Sequence, residues 1–218
     1  MAFDLNLFEK NFDFGFKATV ANNLIIATKA FDEFWMNNLN FLRDADDLYG
    51  RILSYAVNQQ FKNAATKSAS SYLVRDLQVN RYKNKAVLLN TDDYITSICR
   101  TEKPKSLPSK AKYKLELAEG NRDDYNQMEL HFIQDQISVK DKKKYAIIGY
   151  RYINREMKHL NIIVPDHRFQ SIIYSESLLG NITEYKQYVP EELIYDQVAD
   201  LKNDLIVKLK EKKIGNGD

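Results

Sequence analysis

Cysteine is almost absent. Cys99 is the only one, so no disulfide can form within the chain, and a reducing compartment is the expected setting. A lone thiol also rules out the paired Cys-x-x-Cys spacing of zinc knuckles and dithiol redox centres. Cys99 lies in Tyr94-Ile95-Thr96-Ser97-Ile98-Cys99-Arg100, which reads as a strand, so a buried structural thiol is expected. Glycine and proline are scarce, at 7 and 4. That excludes collagen-like, linker-rich and disordered designs. No apolar run reaches the ~18 residues that a spanning helix needs. The opening Met1-Ala2-Phe3-Asp4-Leu5 lacks the basic residues and apolar stretch of a signal peptide. A cytoplasmic protein without membrane association is expected. A Gly-rich phosphate loop, a His-Glu-x-x-His pair and a nucleophile elbow are all missing. No cofactor and no metal are expected.

What is present is a chain of 218 residues, 44% hydrophobic, with 14 Tyr and 11 Phe. This length buries a core without cross-links, and it predicts one domain over residues 1–214. Tyr combines an apolar body with a polar tip, which suits sheet faces and interfaces.

The pattern is helical first. After an aromatic lead-in (Phe3, Phe8, Phe12, Phe14, Phe16), residues Val20, Leu24, Ala27, Phe31, Phe34, Trp35 and Leu39 recur at steps of three and four. They predict a helix over 18–42. Tyr49, Ile52, Leu53, Ala56, Val57, Gln60 and Phe61 mark a second helix, with Asp46 or Asp47 as cap, and the helical part ends near 62. From 72 to 175 the signals are those of strands. Leu73–Val79, Ala86–Leu89 and Tyr94–Arg100 read as a meander, with Lys83-Asn84 and Asn90-Thr91-Asp92-Asp93 as turns. Lys103-Pro104-Lys105-Ser106-Leu107-Pro108 is a loop. Ser109 caps a short helix, Lys110–Glu119, closed by Gly120. Leu130 and Phe132 mark a further strand. Tyr145–Tyr152 and Leu160–Val164 form a hairpin ending at Pro165, and Phe169–Tyr174 adds an edge. Pro190, Glu191 and Glu192 open a long final helix over 190–213, with Ile194, Val198, Leu201, Leu205 and Leu209 as its seam. That narrow seam fits either the protein's own sheet or a homodimer. The order predicts an α+β fold: N-terminal helices on a mostly antiparallel sheet of about six strands, with a long C-terminal helix.

Charge is segregated. Between Val79 and Lys114 nine cations face Asp92, Asp93 and Glu102, a net +6 in a chain of net +2. Arg81, Lys83, Arg100, Lys103, Lys105, Lys110 and Lys112 are the candidate binding residues. A basic segment with Tyr82 and Tyr113 interleaved can hold phosphates by charge and bases by stacking. It can equally steer an acidic protein partner, or serve only as a solvated face.

Three other constellations carry weaker signals. Asp92 and Asp93, with Glu129 and the cation Arg100, resemble the carboxylate set of a metal-dependent nuclease, although Asn-Thr-Asp-Asp is also ordinary turn chemistry. His159, His167 and Arg151 near the hairpin would suit acid–base work on a small molecule, although surface or hydrogen-bonded histidines explain them too. His131 has no partner at ligand spacing.

Val79-Asn80-Arg81-Tyr82, Thr91-Asp92-Asp93-Tyr94-Ile95, Arg100-Thr101-Glu102-Lys103-Pro104 and Leu107-Pro108-Ser109-Lys110-Ala111-Lys112-Tyr113 form a pattern. With Tyr145-Ala146-Ile147-Ile148-Gly149-Tyr150 and Ile162-Ile163-Val164-Pro165-Asp166, it resembles a family of uncharacterised bacterial proteins. The match spans residues 45–175. Such proteins accompany helix-turn-helix regulators and metallopeptidase-like partners in mobile or defence-type loci. The resemblance brings no activity and no functional residues. It implies a protein-interaction role in a regulatory, toxin–antitoxin or phage-defence module. A non-enzymatic interaction protein is therefore the expectation, with a nucleic-acid-binding protein or metal-dependent nuclease as the rival.

Overall fold

Asp13 decides where the first long helix begins. Its carboxylate accepts the Phe16 N–H at 2.7 Å, so helix α2 runs Phe14–Asn37, four residues earlier than the periodicity predicts. The structure is a computed structural model describing residues 3–42, 46–67, 72–79, 85–122 and 143–180, together with 201 and 206. Before α2 lies α1, Leu5–Asn11, capped by Asp4. After it, Asn38 breaks the helix: its backbone N–H folds back on Trp35 and its amide on the Phe34 carbonyl at 2.7 Å. One further turn, α3, covers Leu39–Leu42. Helix α4, Asp46–Lys67, returns alongside.

The first turns of α2 are buried all round, from Phe16 through Ala21. A helix without a solvent face is a core helix, and α2 lies against both α4 and β5. Phe8 of α1 packs on Tyr174, Phe12 on Tyr94 and Phe16 on Tyr72, with centroids 4.6–4.9 Å apart. The aromatic lead-in is thus an arm packed on the core.

The strands are β1 Leu73–Gln78, β2 Lys85–Asn90, β3 Tyr94–Arg100, β4 Lys144–Ile153, β5 Glu156–Pro165 and β6 Ile172–Ser177. They form one sheet in the order β1-β2-β3-β4-β5-β6. Every pairing is antiparallel except β3 with β4, which is parallel. The expected α+β class and mostly antiparallel sheet are present. The parallel pair is the departure. Its crossover carries α5, Lys112–Ala118, and a 3₁₀ turn, Glu119–Asn121. Ser109 does not cap α5. Ala111 occupies that position without a side-chain bond, and the Ser109 carbonyl accepts the Lys114 ammonium at 2.9 Å.

Both faces of the sheet are covered. Val87, Leu89, Ile98, Ile148, Tyr150, Leu160, Ile162 and Val164 meet α1, α2 and α4. On the opposite face Tyr145, Ile147, Ile163 and Phe169 meet Ala118 of α5 and Leu107 of the preceding loop. This is why β4 and β5 read as continuous apolar runs.

The strand expected at Leu130 and Phe132 and the turn at Lys83-Asn84 lie outside the described residues. So does the helix expected over 190–213, apart from Leu201 and Ile206, both helical, with Leu201 buried.

Candidate interaction site

The basic loop begins where β3 runs out of ladder. Thr101 continues the strand by one bond, its N–H donating to the Tyr150 carbonyl at 2.9 Å. Its hydroxyl lies 2.8 Å from His159 Nε2. Gly149 permits this crossing, because a Cβ there would sit 3.0 Å from Thr101 Cγ2 and from Ile163 Cδ1. Arg151 then holds the Glu102 carbonyl at 2.9 Å. Ser106 closes the next turn from inside: its hydroxyl donates to the Lys103 carbonyl and accepts the Lys103 N–H, both at 3.0 Å. Leu107 packs into the core beneath α5, and Pro108 is buried. The loop contains no glycine and two prolines, so its backbone is pinned at several points while its lysines face outward.

Arg100, Lys103, Lys105, Lys110 and Lys112 are all exposed, and they lie along one connection, from the end of β3 to the start of α5. Among the described residues Lys112 alone of the five has an acidic partner, Glu116 at 3.8 Å, with side chains 91% and 60% exposed. An exposed pair of that kind is worth little. Arg81 and Lys83 lie outside the described residues.

Lys105, Ser106 and Leu107 also form one wall of a groove of about 530 Å³. The other wall is Gln170 to Ser175, the end of the β5–β6 hairpin and the start of β6. Asp166 organises that hairpin, accepting the N–H groups of Gln170 at 2.6 Å and Ser171 at 3.1 Å. Burial acts to raise the Asp166 pKa, but the Ser171 and Gln170 donors and nearby His167 outweigh it and hold the carboxyl below its ordinary range. Phe169 adopts a left-handed φ of 55°, held there by its ring, which is 1% exposed in the core. The Ser175 hydroxyl oxygen is buried with no hydrogen-bond partner among the described residues.

No family model, curated protein or solved structure matches this chain. The site is therefore read from its own chemistry.

Other expected constellations separate in space. Asp93 accepts the Asn11 amide at 2.9 Å and lies 3.6 Å from Lys10. It sits at the start of β3, while Arg100 ends that strand about 23 Å away at ~3.3 Å per residue. The two aspartates do not join the basic loop, and Glu129 lies outside the described residues. His159 and Arg151 are register partners across β4 and β5. His167 is in the turn beyond Pro165, the far end of β5, which is roughly 20 Å from His159 by the same rise, so the three do not converge. His131 is outside the described residues. Among the described residues no group of three or more His, Cys, Asp or Glu is placed to hold a metal ion. No described helix is long and apolar enough to cross a membrane.

Cys99 is partly buried, 3.8 Å from Ser97 Oγ and 4.0 Å from the Tyr113 hydroxyl. Tyr113 turns inward toward it, and burial followed by the Cys99 neighbour pushes its pKa well up. Tyr145 shares this polar nest, 2.6 Å from Ser97 Oγ. Sequence reasoning missed the groove. It placed an edge strand at Phe169–Tyr174, and that strand, β6, runs Ile172–Ser177 at the end of the described sheet.

Proposed function

We propose that the protein is a non-enzymatic interaction protein that docks an acidic protein partner on the loop from Arg100 to Lys112. The observation that carries this reading is the loop itself: five exposed cations on a backbone anchored by Thr101, Arg151, Ser106 and Leu107. A pre-anchored loop gives up little conformational freedom on association. Its charge steers an acidic partner toward it. The role of Tyr113 favours protein over nucleic acid. Stacking needs an exposed ring, and Tyr113 is partly buried with its hydroxyl toward Cys99. Placement in a regulatory or defence module rests on the resemblance alone.

The test compares the wild-type chain with the variant K103E/K105E/K110E/K112E as bait in extract of the native host. A protein recovered in stoichiometric amount by the wild type, and lost with the variant or at raised salt, is the expected result. Recovery unaffected by the four reversals overturns the reading. Tight binding of short DNA or RNA at physiological salt, falling steeply as salt rises, would replace it with the nucleic-acid alternative.

A further inference from the structure

The groove beside Lys105 has one wall of an unusual kind. Successive strand side chains point to opposite faces, yet Ile172, Ile173, Tyr174 and Ser175 all line it in succession. The wall is therefore the edge of β6 rather than either of its faces. Among the described residues β6 ends the sheet, and its register with β5 shows which backbone groups face outward. Leu178 donates its N–H to the Leu160 carbonyl at 2.8 Å, which makes Asn161 and Ser177 a non-hydrogen-bonded pair. By alternation, Tyr174 and Glu176 bond to β5, and the N–H and C=O groups of Ser175 and Ser177 point away from it, up to the register shift between Val164 and Pro165. No described backbone group meets them. Ile173 is 45% exposed.

We infer that this edge binds an extended acidic segment of the partner by β-strand addition. The inference rests on the interaction reading above and gives it a geometry. The segment pairs its main chain with Ser175 and Ser177, as strand addition requires. Its acidic side chains on the loop side meet Lys105. Charge selects the partner, and the ladder fixes its register. An edge left unpaired invites unwanted association, and Lys105 on the facing wall favours acidic strands.

The probe is a capped octapeptide of alternating Glu and Val, with fluorescence anisotropy as readout. Three relatives accompany it: one with Lys for Glu, one N-methylated at every Glu and one N-methylated at every Val. N-methylation removes donors without changing charge. Only one alternate set of amides faces β6, so methylating that set should weaken binding by about tenfold or more. Methylating the other set should leave binding unchanged. The Lys peptide should not bind. Ser175→Pro deletes an outward N–H without breaking a bond to β5 and should also weaken binding, as should K105E. The peptide series needs no variant to fold. If the two methylated peptides bind equally, strand addition is wrong while the acidic-partner reading stands. If no acidic peptide binds but the native partner is still lost with the charge-reversed bait, this groove is wrong and the loop is not. If an oligonucleotide binds through Lys105 and no peptide does, both are overturned.

Discussion

His159 shows how a residue that invites a catalytic reading can be structural. It is 5% exposed, and its Nε2 lies 2.8 Å from the Thr101 hydroxyl. Burial disfavours the charged ring first, and the Arg151 guanidinium disfavours it further, so its pKa is lowered from the ordinary 6.5. The unfolded chain therefore binds a proton that the folded chain refuses. Stability from this residue is present at neutral pH and is lost as pH falls through about 6.5. Urea unfolding between about pH 7 and 5 should show a falling midpoint, and His159→Gln should flatten that fall. The same slope in the variant would assign it to other groups.

Lys17 is the opposite case, a buried cation whose charge is matched. It is 4% exposed, bonded to Glu9 at 2.8 and 3.0 Å and to Glu176 at 2.8 Å. It ties α1 and α2 to β6. Lys17→Met leaves two carboxylates facing each other without a cation. A loss of about 2–4 kcal/mol is expected in chemical denaturation. Both carboxylates keep some access to water, 46% for Glu9 and 27% for Glu176, which keeps the loss below that of a fully buried triad.

At the scale of elements, Asn121 repairs a defect that Pro165 creates. Pro165 ends β5 and has no N–H to offer its neighbour. The Asn121 amide fills the gap, donating to the carbonyls of Tyr145 at 2.9 Å and Pro165 at 2.7 Å. Its carbonyl accepts the Tyr145 N–H at 2.7 Å. One side chain from the crossover thus completes the β4–β5 ladder and fixes where α5 ends. Asn121→Ala strands three buried backbone groups and should cost about 3–5 kcal/mol. Asn121→Asp should be at least as destabilising in thermal melts at neutral pH, because its carboxylate has no donor for the Tyr145 and Pro165 carbonyls and sets a buried charge against them. Near-wild-type melting of either variant would mean that the clamp contributes little.

At the scale of the molecule, the exposed lysines of the loop are uncoupled from the core, so function and stability should separate. The variant K103E/K105E/K110E/K112E should unfold cooperatively, each change altering stability by no more than about 0.5 kcal/mol. Circular dichroism and a denaturant curve would check it. A large loss would show that the lysines serve the fold rather than a partner.

Much of this architecture is written locally. The helices around α2 and α4, the meander of β1 to β3, the turn at Asn90–Asp93 and the β4–β5 hairpin follow from periodicity and turn chemistry, which act between near neighbours. So does the run of cations in one connection, because Arg100 to Lys112 lie close in the chain and two prolines keep the stretch between β3 and α5 irregular. Other features depend on residues far apart in sequence. The parallel pairing of β3 with β4, the groove between β6 and the basic loop and the distance from Asp93 to that loop emerge only when the crossover closes over the sheet. The Asn121 clamp and the Glu9–Lys17–Glu176 contact are of the same kind. Sequence pattern determines which face of an element is apolar. Which edge stays open, and which charges meet across it, is decided by long-range packing.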